Sequence, residues 1–237
     1  MRKLSIPYKS KAAVYAAAGV YTSPNFMEGV LKAVVDVLER KPKLDVVGAG
    51  LLFPYGDWSS PLLPQIRQVY RDMTLRSGNY ERSIGGGRIL SEVGSGDEAD
   101  ILLFIGHSGG GVASVHAASL LDERLPAIQT RIVQIGCPRF AIPPVMRDRV
   151  RYLYATKANG SGKDPITRIG SWGGWEKGAV GIPRWNPLKF APEERIPVPV
   201  LGGHADYFRD YEPFHSAEGR SNLDLVLEKM LEGWTED

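Results

Sequence analysis

Cysteine is almost missing from this chain: Cys137 stands alone among 237 residues. A lone cysteine excludes an intrachain disulfide and any cysteine-rich zinc site, and a chain of this length can bury a core that needs neither. Histidine is scarce too. There are four, none in an H-E-x-x-H pairing, so no metal and no other cofactor is expected. An excess of one charge sign is also lacking. The 29 Lys and Arg against 27 Asp and Glu leave a formal +2, too balanced for a general nucleic-acid or anionic-membrane binder. The basic cluster Arg139, Arg147, Arg149 and Arg151 carries no run of interleaved aromatics on which bases would stack, and reads as a solvated face. No apolar run approaches the roughly 20 residues that cross a bilayer, so a soluble protein without membrane insertion is expected. Ala12 to Val20 follows a basic start and imitates a short signal-peptide core, but Lys9 and Lys11 sit late for the charged region of such a signal. A cytoplasmic location is the expectation, with secretion as the alternative.

What is present is ordinary globular composition, 43% hydrophobic and 24% charged, in a length suited to one domain over residues 1–237. Ala13 to Ala17 is a short apolar strand. Ser23-Pro24 then opens a helix with Val30, Leu31, Val34, Val35, Val37 and Leu38 at helical spacing, closed by Lys41-Pro42. Leu44 to Phe53 predicts a second strand, ended by the turn-prone Pro54-Tyr55-Gly56-Asp57. Leu62 to about Tyr80 has weak helical periodicity, and Ile84 to Gly96 reads as a glycine-rich loop. Ile101 to Ile105 is the strongest strand signal, a continuous apolar run of the kind a strand covered on both faces requires. A small-residue helix follows it. Arg131 to Ile135 and Val150 to Ala155 predict further strands. Ile196 to Leu201 predicts a last one, which Pro197 and Pro199 confine to a sheet edge. Asn222 to Leu231 closes the chain as an amphipathic helix. Alternation of this kind predicts an α/β fold with a mostly parallel central sheet and helices on both faces.

Chemistry enters directly after the strongest strand. Gly106-His107-Ser108-Gly109-Gly110 fits G-x-S-x-G, in which a serine sits on a sharp strand-to-helix turn and glycines on either side avoid collision. The pattern alone is common, but its place between a strand and a helix start is the context that gives it meaning.

From Ile101 to about Phe208 the chain resembles the α/β-hydrolase superfamily, and in particular the class 3 (fungal-type) lipases. The resemblance is carried by the elbow itself, by Gly136-Cys137-Pro138-Arg139 after a strand, by the turn Asp164-Pro165-Ile166-Thr167-Arg168, and by His204-Ala205-Asp206-Tyr207. The chain departs from those lipases at Gly109, where they usually carry leucine, and at Val20, where they tend to carry a hydroxyl residue. The resemblance implies an α/β-hydrolase fold and a lipase-like or esterase activity on a small-molecule ester.

A serine hydroxyl needs a base, and imidazole, with a usual pKa of about 6.5, serves near neutral pH. His107 lies inside the elbow and reads as a packing residue. His116 lies two turns into the following helix and reads as structural. Of the two left, His204 follows the last strand, where the order Ser, Asp, His requires the base, whereas His215 leads toward the final helix. The acid should lie between serine and histidine, after a strand. Asp164 meets that condition and opens the lipase-like turn, while Asp122 and Asp148 read as solvated. An oxyanion hole takes the amide after the nucleophile, Gly109, and one from the loop after the first strand, where Gly19 permits close approach and Val20 supplies the amide.

Tyr21 in that loop, with Trp172 and Trp175 in the Gly- and Pro-rich stretch between acid and base, are the candidate substrate-contacting side chains. The stretch, within 165–200, is the candidate cap or pocket loop, and covering of the sheet edge by its tryptophans is the alternative. Other classes fare worse. Val47-Gly48-Ala49-Gly50 fails the dinucleotide fingerprint because Phe53 takes the third small position, and Gly85-Gly86-Gly87-Arg88 has no Gly-Lys-Ser/Thr. A thioesterase, an amidase and a catalytically inactive binding relative stay open as alternatives.

Overall fold

In the computed structural model, which describes residues 9–94, 98–157, 160–178 and 181–233, alternation along the first strand explains the layering. Ala13 and Ala17 of β1 (Ser10–Ala17) join one apolar cluster, and Val14 and Ala16 join a second on the opposite face, as a period of two residues demands. The basic start through Tyr8, residues 158–159 before Asp164 and residues 179–180 of the tryptophan-rich stretch lie outside the described residues.

Five more strands complete the sheet: β2 (Leu44–Leu52), β3 (Ile101–His107), β4 (Gln129–Ile135), β5 (Val150–Ala155) and β8 (Glu194–Val198). Their order is β2-β1-β3-β4-β5-β8, every neighbouring pair parallel. The helices α1 (Glu28–Glu39) and α5 (Asn222–Leu231) cover one face with Val30, Val34, Val226 and Met230. The other face is covered by α2 (Leu62–Thr74), α3 (Ile84–Val93) and α4 (Gly110–Arg124), through Val69, Ile89, Val112 and Val115. Among the described residues no helix is long and apolar enough to cross a membrane. The architecture is an α/β-hydrolase fold. Strand order reverses between β1 and β3, and in open parallel sheets the crevice at the carboxyl ends of such a pair is where ligands bind.

Two expectations need correction. Ile84 to Val93 is a helix, not a loop. Its glycines reflect close packing: a Cβ on Gly85 would lie 2.6 Å from the Tyr55 ring and 2.7 Å from Ala113 Cβ, and one on Gly86 would lie 2.9 Å from His116 Cβ. Ser83 caps the helix, accepting from Gly86 N, and the buried Asp72 accepts from the amides of Ile84 and Gly85. The arginine cluster is not a solvated face either. Arg151 is buried, ion-paired to Glu194 on the neighbouring strand and donating to Met230 O at the end of α5, while Arg149 pairs with Asp122 at 2.5 Å. The tryptophan-rich stretch holds an antiparallel ribbon of β6 (Gly174–Lys177) and β7 (Pro183–Asn186), in which Trp175 faces Trp185. The proline-bearing strand does lie at the sheet edge, where Pro197 withdraws no donor from a central ladder.

Candidate active site

Ser108 directly follows β3 with φ at 54°, a left-handed conformation that is unfavourable for any residue with a Cβ. Its amide is tied to Ile135 O at 3.0 Å. The glycines on either side of it are steric necessities. A Cβ on Gly106 would lie 2.3 Å from Gly111 Cα, and one on Gly110 would lie 2.0 Å from Ala17 O. The turn thus exists only because backbone crosses backbone at both positions.

The loop after β1 reaches the same point. A Cβ on Gly19 would lie 2.6 Å from Ser108 Cβ and 3.1 Å from its Oγ, so this loop runs directly against the serine. Among the described residues neither Val20 N nor Gly109 N donates to any other group. Two amides without a partner among the described residues thus lie in the two segments that meet at Ser108, one from each side of the switch point.

Asp164 and His204 approach from β5 and β8. His204 Nδ1 lies 2.8 Å from Asp164 Oδ2, and because a carboxylate only accepts, that nitrogen carries the proton and Nε2 is left as the basic one. Asp164 has no exposed surface. Burial pushes its pKa up, yet hydrogen bonds from His204, the Ile166 amide at 2.9 Å and Tyr207 Oη at 3.0 Å together hold it below the usual carboxylate value. Tyr207 in turn accepts from Ala155 N at 2.8 Å, and burial first, then the Asp164 charge, raises its phenol pKa. Gly136, at φ 61°, leaves room for both, since a Cβ there would lie 2.8 Å from Asp164 Oδ2 and from the Tyr207 ring.

His107 lies beneath this pair. Its ring stacks on His204 with centroids 4.6 Å apart and packs edge-on against Phe208 and Tyr207. Nε2 lies 3.0 Å from His204 O, so it donates there and the neutral ring has its proton on Nε2. Burial pushes the pKa of His107 down to about 3. Among the described residues no hydrogen bond joins Ser108 Oγ to His204; the His204 ring stacks on the residue that precedes the serine. Such contacts often tighten only when substrate is bound.

The other candidates have the following surroundings. His116 is buried against the Tyr80 ring at 4.2 Å and donates from Nδ1 to Ser83 Oγ at 2.9 Å, while Ser83 donates to Asp72. His215 stands 3.5 Å from Glu212 Oε1 and bridges to Ser221 at the entry of α5. Tyr21 is exposed with φ at 51°. Trp172 is buried against Tyr152, with ring centroids 4.8 Å apart, and under the Arg139 guanidinium, so it covers the sheet. Trp175 lies exposed on the ribbon. Cys137 is buried, and burial pushes its thiol pKa up. Sequence reasoning did not single out Tyr207 as a partner of Asp164, although it stands three residues after His204. Nor did it find Gln65 and Asp72 of α2, whose polar residue types give no sequence signal of burial. No group of three or more His, Cys, Asp or Glu among the described residues is placed to hold a metal ion.

No protein-family model matches the chain, and no curated protein matches it in sequence. Among solved structures it is similar to an extracellular alpha/beta-hydrolase from a Paenibacillus species, at 11% identity over 93% of this chain and 98% of that one, with a TM-score of 0.44. It is also similar to one provisionally named a cell surface hydrolase from Lactobacillus plantarum, at 12% identity over 94% and 92% of the two chains, TM-score 0.44. A peroxisomal alpha-beta-hydrolase from Saccharomyces cerevisiae is similar at 19% identity over 58% of this chain and 37% of that one, TM-score 0.31. Likenesses this distant say nothing of substrate.

Proposed function

We propose that this protein is a serine hydrolase of carboxylic esters acting through an acyl-enzyme. The observation that carries the reading is the meeting, at one end of the sheet, of a left-handed serine between two unengaged amides and a histidine whose Nδ1 is held at 2.8 Å by a buried carboxylate. The ester class is supported by the resemblance to class 3 lipases, carried by Gly136-Cys137-Pro138-Arg139, the turn at Asp164 and His204 close to Tyr207.

In this mechanism Ser108 Oγ attacks the ester carbonyl carbon as His204 Nε2 takes the hydroxyl proton. The carbonyl oxygen becomes an oxyanion that Gly109 N and Val20 N stabilise. Collapse breaks the bond to the alcohol, which leaves with the proton from His204. Water then enters by the same route, giving its proton to His204 and its oxygen to the acyl carbon, and the carboxylic acid departs as Ser108 regains its hydrogen. Asp164 keeps the imidazole in the tautomer with a free Nε2 throughout.

A fluorophosphonate probe tests the reading, with mass spectrometry locating the adduct and p-nitrophenyl esters of graded length measuring turnover. Labelling on the Ser108 peptide, lost in Ser108→Ala together with at least about 10³-fold of kcat, is the expected result. Labelling or turnover that persists in Ser108→Ala would overturn it.

A further inference from the structure

Gln65 is a polar side chain with only 2% of its surface exposed, and it lies on α2, the helix that reaches both Tyr21 in the loop after β1 and Gly109. Its Oε1 accepts from Tyr21 N at 2.8 Å, and its Nε2 donates to Asp57 O at 2.7 Å and Ser60 O at 3.1 Å. Since Tyr21 N can only donate, the amide has one workable orientation. The peptide joining Val20 to Tyr21 is planar. Its N–H is held by Gln65, and its C=O accepts from Thr22 Oγ1 at 3.3 Å. Both ends of that plane are therefore pinned, and only the φ and ψ of Val20 separate it from the neighbouring peptide plane, which carries the Val20 amide.

The next turn of α2 meets the other donor. A Cβ on Gly109 would lie 2.8 Å from Val69 Cγ2, so Val69, four residues beyond Gln65 on the same helix face, packs flush against Gly109. Asp72, seven residues beyond Gln65, ties the helix down through Tyr55 Oη, Ser83 Oγ and the amides of Ile84 and Gly85. We infer that the buried stripe Gln65, Val69, Asp72 is a brace that sets the spacing of the two oxyanion donors. Gln65 is the positioning residue for the Val20 amide. The inference rests on the serine-hydrolase reading above and deepens it.

The test compares wild type, Ser108→Ala, Gln65→Met, Gln65→Glu and Gln68→Ala on p-nitrophenyl acetate and against an alkyl boronic acid, which forms a tetrahedral adduct on a nucleophilic serine. Gln65→Met removes the acceptor from Tyr21. It should lower kcat about 10- to 100-fold, less than outright loss of a donor, with KM changed less than about threefold and boronate affinity falling in parallel with kcat. Gln65→Glu keeps an acceptor for Tyr21 N and should lose clearly less. Gln68→Ala, on the same helix but turned to Arg88, should match wild type. Hydrogen exchange at the Tyr21 amide should quicken at least tenfold in Gln65→Met while Val14 in β1 stays protected.

Wild-type kcat in Gln65→Met, or equal losses in the Met and Glu variants with unchanged Tyr21 exchange, would overturn the brace. If Gln65→Met does not fold, Gln65→Glu decides by the same measurements: a loss in KM alone, or no loss with Tyr21 exchange quickened, counts against it. Turnover undiminished in Ser108→Ala would instead bring down the hydrolase reading itself.

Discussion

A carboxylate with no exposed surface would ordinarily take up a proton, and what keeps Asp164 ionised is a set of three donors aimed at its two oxygens. The donors are not equivalent. That from His204 sets the imidazole tautomer, whereas that from Tyr207 Oη, itself supplied by Ala155 N, anchors the carboxyl. Asp164→Asn can present an N–H to His204 and reverse the tautomer, so it should lower ester kcat by about 10³- to 10⁴-fold in a folded protein. Tyr207→Phe leaves the Ala155 amide and one Asp164 oxygen each short of a partner. It should cost about 1–3 kcal/mol in urea unfolding and reduce kcat by less than about tenfold. A Tyr207→Phe protein as inactive as Asp164→Asn would show that the phenol, not the tautomer, controls the base.

Elements carry a different kind of constraint, seen most sharply in α3. Its first turn strings together Gly85, Gly86 and Gly87, a sequence that helix propensity disfavours by about 1 kcal/mol per glycine. Packing outweighs that propensity at two of the three. Gly85 and Gly86 lie against Tyr55, Ala113 and His116, whereas a Cβ on Gly87 would meet nothing within 4 Å. Alanine substitutions should therefore split by sign. Gly87→Ala should stabilise the protein by about 0.5–1 kcal/mol, and Gly86→Ala should destabilise it by about 1–3 kcal/mol. At this chain length that is a rise of about 1–4 °C against a fall of about 2–12 °C in Tm. Equal shifts in one direction would show that α3 does not pack through these glycines.

Across the whole molecule, acid should unfold the protein well before its carboxylates are spent. His107 and His116 are both buried and neutral, with burial pushing their pKa values down to about 3 and about 4. In the unfolded chain both return to about 6.5. Between these limits the unfolded state binds more protons, so stability is full above about pH 6.5 and falls as pH drops toward 4 and then 3. Each histidine contributes a slope of up to about 1.4 kcal/mol per pH unit. Asp164, held below its usual pKa, adds a loss in the same direction below about pH 4. Urea unfolding at pH 7, 6 and 5 should show the decline, and His116→Gln should remove about half of it; a flat profile over that range would refute the buried neutral histidines.

The six strands of the main sheet, the strand-to-helix turn at Ser108 and the pairing of Asp164 with His204 were legible in the sequence. Those features are local: a strand buried on both faces is a continuous apolar run, and a turn that crosses other backbone must be built of glycine. Everything that depended on which side chain lies behind which came only from the tertiary structure. The glycines of α3 read as a loop because their partners, Tyr55, Ala113 and His116, are distant in sequence. The arginine cluster read as solvated because Glu194 and the end of α5 meet Arg151 only across the folded sheet. Gln65 and Asp72 look like ordinary polar positions on α2. They are buried because the groups that satisfy them, the Tyr21 amide and the first turn of α3, are brought to them by the fold. A residue's own type states what it can bond to, but only the packed chain decides whether a partner is there.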